Sequence, residues 1–184
     1  MTPLLTDLYQ ITMAYAEFKA KCQDLPCVFE AFFRKAPFKG HYTIFGGLDE
    51  VVQFLENFKI TKVHIAYLKQ QLPYMTDDFF EWLENLSTKS LRITGMRTGM
   101  IVFAAEPLLR IEGPFALLQL IETPILNLIN FASLVATNAS RMQLISGPHT
   151  RCVEFGLRRA QGPDGALTAT KYAYMAGFVA SSNV

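Results

Sequence analysis

The 184-residue chain is long enough for one packed domain, or for one domain with part of another. Apolar residues make up 51% of it and charged residues 18%, which excludes a disordered chain. Its 17 basic and 16 acidic residues leave a net charge of +1, so we expect neither nucleic acid nor a membrane as a partner. The absence of a signal-peptide pattern and of paired cysteine spacing predicts a cytoplasmic protein with free thiols.

The first half of the chain predicts one helix, two strands and three more helices. Thr6 or Asp7 caps the first helix, whose apolar residues recur at helical spacing as far as Phe18. Two strands follow, and the second is closed by Gly46 and Gly47. Beyond the first helix, the predicted elements are strands over 28–34 and 42–45 and helices over 48–58, 62–72 and 77–86.

The next part of the chain changes to β character and then to a long apolar stretch. From Leu91, alternating residues with glycines and prolines predict two or three short strands. Residues 115–145 predict a buried helix. We expect it to break near Pro124, because proline lacks the backbone donor and clashes with the preceding turn.

The last part of the chain predicts the opening of a larger architecture. A strand over 151–157 and a helix over 167–175 form the first unit of a βα repeat. One such unit cannot close a barrel or cover its own apolar face, so we predict a piece of a longer protein. We expect exposed apolar surface there, notably at Tyr172, Tyr174, Met175 and Phe178.

The densest chemical signal is the segment EFGLRRAQGPDG at residues 154–165. Arg158 and Arg159 offer planar guanidinium groups that match carboxylate or phosphate. If the strand continues through them they point to opposite faces, so that one faces a ligand and the other a structural carboxylate. The alternative is that both are salt-bridged surface residues.

Six segments resemble the nicotinate phosphoribosyltransferase family, in the order and at the spacing that this family shows. The resemblance spans the whole chain, and its most specific part is GLRRAQGPDG. The segments are TDLYQITMAYA (Thr6–Ala16), FFRKAPF (Phe32–Phe38), ETPILN (Glu122–Asn127), ATNASRM (Ala136–Met142), GLRRAQGPDG (Gly156–Gly165) and GFVASSNV (Gly177–Val184).

The resemblance implies a reaction of NAD synthesis. Nicotinate takes the phosphoribosyl group from phosphoribosyl pyrophosphate to give nicotinate mononucleotide, and ATP hydrolysis drives the reaction through a phosphohistidine, with Mg²⁺ as the metal. That histidine is expected beyond Val184, and none of His41, His64 and His149 receives a catalytic role. The chain by itself is therefore predicted to hold no metal site and to be inactive.

The resemblance also implies a substrate pocket. In the related nicotinamide phosphoribosyltransferases, the tyrosine that resembles Tyr9 stacks on the pyridine ring and the phenylalanine that resembles Phe155 covers its other face. Their arginine, which resembles Arg158, lies near the carboxyl or phosphate groups, and Asp7 and Arg159 are also expected to bind substrate. An aromatic sandwich with a cation suits a flat anionic substrate. The alternative for both aromatic residues is packing in the core.

Ser182 is expected to favour the acid over the amide as substrate. The amide-specific relatives have an aspartate there, which accepts from an amide and repels a carboxylate, whereas a hydroxyl donates to a carboxylate. The chain departs from the GGFD pattern of many family members, with Ala176 at the first glycine and Val179 at the aspartate.

The fold that the resemblance implies is α/β, of the type II phosphoribosyltransferases. An α+β amino-terminal domain over 1–148 precedes the first βα unit of an incomplete TIM-like barrel over 149–184. A head-to-tail homodimer with a shared active site is expected. Two alternatives stay open: a nicotinamide phosphoribosyltransferase, and a truncated, non-catalytic dimerisation or binding module.

Overall fold

The computed structural model describes residues 2–183, which form a mixed fold of helices and strands, as predicted. The helices are α1 (Leu8–Lys19), α2 (Leu48–Glu56), α3 (Lys62–Gln71), α4 (Asp77–Glu84), α5 (Phe115–Ser146) and α6 (Gly162–Met175). The strands are β1 (Pro26–Ala31), β2 (Thr43–Ile44), β3 (Arg92–Gly95), β4 (Ile101–Val102), β5 (Leu109–Pro114), β6 (Val153–Glu154) and β7 (Ala180–Ser181).

The strands form three small sheets, and the chain divides into two compact units. One sheet has the order β1-β5-β3, β2 pairs with β4 antiparallel, and β6 pairs with β7 parallel. Unit 1 contains the residues up to Glu30, Asp49–Thr94 and Leu109–Leu126; unit 2 contains Ala31–Leu48, Gly95–Leu108 and the residues from Asn127 onward. The boundary at residue 148 stays a prediction about the domains of a longer protein.

An aromatic cluster joins α1 to α4 in the core of unit 1. The ring of Phe79, which is fully buried, lies 5.0 Å from that of Tyr15 and 5.5 Å from that of Phe18 between centroids. Trp82 stacks on the same ring at 5.6 Å. Offset and edge-on ring pairs add to the free energy of apolar burial, so this cluster fixes α1 against its neighbour.

The long helix α5 runs through Pro124 without a break, and the predicted interruption is wrong. Proline has no N–H, so the carbonyl of Leu120 loses the donor that a helix normally supplies four residues later. Thr6 Oγ1 lies 3.2 Å from that carbonyl oxygen and donates to it instead. The side chain of Thr6, just before α1, therefore replaces the hydrogen bond that Pro124 cannot make, and α5 continues.

By length and composition, α5 is also the one described helix that meets the requirements of a membrane span. More than half of its most apolar window is buried inside the molecule. A core helix passes the same test of length and composition, so this helix is weak grounds for a membrane location. Its burial agrees with the predicted core helix.

In unit 2, the Tyr172 side chain of α6 packs on small residues of α5. Tyr172, which is 0% exposed, packs with Ala132 and Ala136. The prediction that Tyr172 lies on an exposed apolar surface is therefore wrong, whereas Tyr174 is exposed at 68%. The difference arises because these two side chains leave α6 on opposite sides, about 200° apart.

The segment around β6 and α6 differs from its prediction in length and in position. The strand ends at Glu154 rather than Leu157, and a 3₁₀ turn (Leu157–Arg159) follows it. The helix begins at Gly162 rather than Leu167. Pro163 and Asp164 both favour a first helical turn, because proline needs no donor there and a carboxylate is stabilised by the helix dipole.

Candidate functional site

A parallel strand pair with a helix between its strands organises the candidate site in unit 2. Val153 pairs with Ala180 and Glu154 pairs with Ser181, and α6 connects the two strands. The carboxyl ends of β6 and β7 therefore lie side by side. In parallel α/β folds, ligands bind outside the carboxyl ends of the strands, so these two ends form the candidate binding edge of unit 2.

Phe155 and Ser182 follow these two strand ends directly, and both are exposed, Phe155 at 69%. The N–H of Ser182 donates to the carbonyl of Glu154 at 3.1 Å, which continues the parallel pairing. Side chains alternate along a strand, and those of Glu154 and Ser181 hydrogen-bond to each other on the α6 side. Phe155 and Ser182 consequently share the opposite face.

Arg158 and Arg159 lie in the 3₁₀ turn Leu157–Arg159, and both are exposed. The strand does not continue through them, so the prediction of opposite strand faces does not apply to this pair. The turn begins three residues after the end of β6, which places both arginines on the segment that leaves the carboxyl end of that strand. The structure thus brings Phe155, Arg158, Arg159 and Ser182 to one edge of unit 2.

Tyr9 and Asp7 belong to unit 1, where α1 presents them. Tyr9 is 47% exposed, so the alternative that it packs in the hydrophobic core is not what the structure shows. Asp7 occupies the N-cap position without a capping bond from its side chain. Its carboxylate instead accepts a hydrogen bond from Thr123 Oγ1 at 2.9 Å, in the ETPILN segment.

A polar network beneath Tyr9 explains why its segment is rich in polar residues. Gln10 is 0% exposed, and its Nε2 donates to Glu122 at 3.3 Å. The single hydroxyl proton of Thr6 is shared between the side-chain oxygen of Gln10 and the carbonyl oxygen of Leu120, which both accept from it. These bonds hold α1 against α5 and leave the neighbouring Tyr9 ring facing outward.

A second polar cluster, around Glu154, was missed by the sequence reasoning. Its carboxylate accepts hydrogen bonds from Thr170 at 2.8 Å, from Ser181 at 3.3 Å and from Asn183. A signal for it was present, because Ser181 and Asn183 alternate with Ser182 at the period of a strand. That alternation separates Ser182 from two residues that face Glu154.

Metal-ligating side chains are scattered over the described residues. Within 2–183, no three side chains of histidine, cysteine, aspartate or glutamate converge closely enough to hold a metal ion. His64 has a local structural role, because its Nδ1 accepts the N–H of Thr61 at 3.1 Å in a capping box at the start of α3.

The fold and the residues at its strand ends define a class of protein. Mixed helices and strands lead into a parallel βαβ unit, and its carboxyl edge carries an aromatic ring, guanidinium groups and a hydroxyl. The nicotinate-nucleotide pyrophosphorylase of Pyrococcus furiosus shares the fold, with a TM-score of 0.74 at 20% identity over 98% of this chain and 38% of that one.

The chain belongs to the nicotinate phosphoribosyltransferase family, whose N-terminal domain pattern matches residues 4–130. It is 54% identical to the Caenorhabditis elegans enzyme over 99% of this chain and 33% of that one, and 52% identical to Arabidopsis thaliana nicotinate phosphoribosyltransferase 1 over 100% and 33%. The human nicotinic acid phosphoribosyltransferase structure matches with a TM-score of 0.91 and 46% identity over 98% of this chain and 36% of that one. The chain thus spans about a third of the length of these relatives.

Proposed function

We propose that this chain forms the amino-terminal part of an enzyme that transfers phosphoribosyl from phosphoribosyl pyrophosphate to nicotinate, giving nicotinate mononucleotide for NAD synthesis. The observation that carries the proposal is the pairing of β6 with β7, which puts Phe155 and Ser182 on one face and the two arginines just beyond it. Family membership supports the same reaction. We place the enzyme in the cytoplasm, because its relatives are enzymes of soluble metabolites.

Each of these residues has a distinct task in the proposed site. The Phe155 ring covers the pyridine ring, Arg158 or Arg159 binds the carboxylate or phosphate, and the Ser182 hydroxyl donates to the carboxylate. Tyr9 stacks on the other face of the ring, and Asp7 keeps the start of α1 on α5 through Thr123 while it contributes to the substrate pocket. ATP and Mg²⁺ would be bound outside the described residues, with the phosphohistidine.

A chimera tests the proposed reaction. In this protein, which we call the chimera, the present chain replaces the matching third of the human enzyme, and the 184-residue chain alone is the control. With nicotinate, phosphoribosyl pyrophosphate, ATP and Mg²⁺, the chimera is expected to make nicotinate mononucleotide and the control none. A folded chimera without product, or an active isolated chain, would contradict the proposal.

Substrate selection tests the position of Ser182. In Ser182→Asp, a second negative charge lies beside nicotinate, and two unit charges about 4 Å apart cost roughly 4 kcal/mol at an effective dielectric constant near 20. Half of that energy lowers kcat/KM for nicotinate by more than about tenfold. Nicotinamide is neutral and should be affected much less, whereas Tyr9→Ala should weaken the use of both. Equal losses for acid and amide in Ser182→Asp would show that Ser182 does not contact the carboxylate.

We also propose a homodimer in which Tyr9 of one protomer completes the site of the other. Chimeras with Tyr9→Ala and with Phe155→Ala are each expected to be weak, because each removes one side of the ring sandwich. When both are co-expressed in equal amounts, half of the dimers are mixed and one of their two sites is intact, so about a quarter of the activity returns. A mixture no more active than its two components would exclude the shared site.

A further inference from the structure

The carboxylate of Glu154 is the centre of a hydrogen-bond cluster that joins the strand ends of unit 2. Its Oε1 accepts from the N–H of Gly156, directly after Phe155. Its Oε2 accepts from Thr170 of α6 at 2.8 Å, from Ser181 of β7 at 3.3 Å and from Asn183. One carboxylate therefore contacts the residues that follow β6, the helix between the strands and the end of β7.

Asn183 extends this cluster to the turn that carries the arginines. Its amide nitrogen donates to Glu154 and lies 2.9 Å from Thr170 Oγ1, while its Oδ1 accepts the N–H of Leu157 at 3.3 Å. Leu157 begins the 3₁₀ turn that contains Arg158. The start of this turn is thus held at the N–H of Gly156 by Glu154 and at the N–H of Leu157 by Asn183.

The cluster lies on the face opposite to Phe155 and Ser182, so it has no place in the ring sandwich itself. It fixes the backbone N–H of Gly156, next to Phe155, and through Ser181 and Asn183 it fixes the residues on both sides of Ser182. Hydrogen bonds to an ionised carboxylate are shorter and stronger than neutral ones, and several donors on one group resist reorientation. Such an arrangement keeps the side chains of Phe155 and Ser182 at a constant separation.

We propose that Glu154 and Asn183 are positioning residues for nicotinate binding: they hold Phe155, Ser182 and the start of the arginine turn in the geometry that the substrate needs. This inference rests on the proposed function. It concerns how tightly nicotinate is bound, because the cluster sets the spacing of the residues that contact the ring and its carboxylate.

An exchange of the two partners in the chimera tests this proposal. In Glu154→Gln one acceptor oxygen becomes an NH2 donor, so the side chain can no longer accept from both Gly156 and Asn183. In Asn183→Asp the bond to Glu154 is replaced by two facing carboxylates. In the combined variant the introduced amide donates to the introduced carboxylate, and the N–H groups of Gly156 and Leu157 keep their acceptors. We expect each single variant to raise the KM for nicotinate about tenfold, and the combined variant to return to within about threefold of the unmodified chimera.

The division between KM and kcat separates positioning from simple destabilisation. Loss of folded enzyme lowers the apparent kcat and leaves KM unchanged, whereas misplaced binding residues raise the KM for nicotinate. Glu56→Gln, at an exposed position on α2, is the matched control and should change neither constant. If the single variants do not fold, Thr170→Val, which removes one donor to Glu154, should raise the KM about threefold.

Unchanged KM in both single variants, a fall in kcat alone, or a combined variant no better than the singles would overturn the positioning role. The same holds for an unchanged KM in Thr170→Val. A failure of the proposed function is a separate result, because the unmodified, folded chimera would then make no product from nicotinate.

Discussion

The two halves of α5 bind their neighbouring segments by different chemistry. The first half, in unit 1, contacts α1 through pairs of polar side chains. Gln10 donates to Glu122 at 3.3 Å and Thr123 donates to Asp7 at 2.9 Å. Both of these hydrogen bonds join two side chains, and Thr6 adds one from its side chain to the backbone carbonyl of Leu120.

The second half of α5, in unit 2, binds backbone groups of the segment around β2. The N–H of Ile44 donates to Thr137 Oγ1 at 2.9 Å, and the N–H of Gly46 donates to Ser133 Oγ at 2.9 Å. Added methyl groups have no room here, because a Cβ on Gly47 would lie 2.7 Å from the carbonyl oxygen of Leu128. Backbone and helix are therefore in direct contact.

This difference teaches how each half should respond to substitution. Paired side chains separate two backbones, and a change in one partner is compensated by a change in the other. A backbone packed on a helix requires glycine and small hydroxyl residues, and no change at a second position makes room for a larger one. Unit 2 should thus be the less tolerant of the two.

The largest expected effect is that of Gly47→Ala. The residue has a φ of +96°, and its Cβ would meet backbone atoms of Leu128 and Ile129 at 2.7 and 2.8 Å. Strain and overpacking together should lower the free energy of unfolding of the chimera by about 3 kcal/mol or more, measured by denaturant titration. Gly147→Ala is the control, since its φ is +77° with open space around it, and about 1 kcal/mol is expected. Equal losses would show that close approach is not the cause.

Ser133→Ala should cost about 2 kcal/mol, because it leaves the buried N–H and C=O of Gly46 without their partner at 2.9 and 3.2 Å. Ser133 is 1% exposed, so water does not replace the hydroxyl. Thr12→Ala removes a hydroxyl bonded to the carbonyl of Tyr9 within the exposed part of α1, and should change stability by less than about 0.5 kcal/mol. Similar losses in the two variants would show that burial of the Ser133 hydrogen bonds is not the cause of the effect.

A double-mutant cycle tests whether Thr6 replaces the donor that Pro124 lacks. Thr6→Val should cost about 1–2 kcal/mol by leaving the carbonyl of Leu120 unpaired. In a Pro124→Ala background the helix supplies its own N–H, so the cost of Thr6→Val should shrink by about 1 kcal/mol. Additive effects would mean that the hydroxyl and the proline act independently.

The smallest expected effect concerns Glu17 of α1, whose pKa is raised by desolvation on burial. The folded state then binds the proton more tightly than the unfolded state. The stability that Glu17 contributes is therefore present at acidic pH, below its unfolded pKa, and is lost as the pH rises through the folded pKa. Glu17→Gln should raise stability at pH 7 by about 1 kcal/mol or less, and this gain should disappear in acid.

Thermal unfolding between pH 3 and pH 8, a range that spans about the ordinary titration of glutamate, measures this difference. Glu81→Gln, which makes the same change at an exposed position on α4, is the matched control. A Glu17→Gln protein that is less stable than the parent at pH 7 would contradict the burial effect.

Much of the fold follows from local pattern. Helical spacing predicts α1, α2, α3 and α4 to within two residues at each end, and Thr61 and His64 add a local capping box to α3. The errors lie where local signals conflict. Pro124 predicts a break, but the hydroxyl of Thr6 pairs with the carbonyl that the proline leaves without a donor, and the helix continues. Gly162 predicts a loop, but Pro163 favours the first turn of a helix, and α6 begins there.

The candidate site also has one part that the sequence predicts and another that it does not. Family resemblance supplies the predicted roles of Tyr9, Phe155, Arg158 and Ser182, and the alternation of a strand is enough to separate Ser182 from its neighbours. The Glu154 cluster was not foreseen, because its donors come from α6, β7 and the turn after β6. No spacing in the sequence reports which donors meet at one carboxylate.

By itself, the sequence determined the class of fold, the family and the positions of the helices, because these depend on residue types within a few turns of chain. Only the tertiary structure decided that α5 continues through Pro124, that Tyr172 is buried while Tyr174 is not, and that Glu154 joins three segments. Each of these outcomes depends on a hydrogen-bond donor or a packing surface from a part of the chain far away in sequence. Such partners have no local signature, since their proximity is created by folding itself.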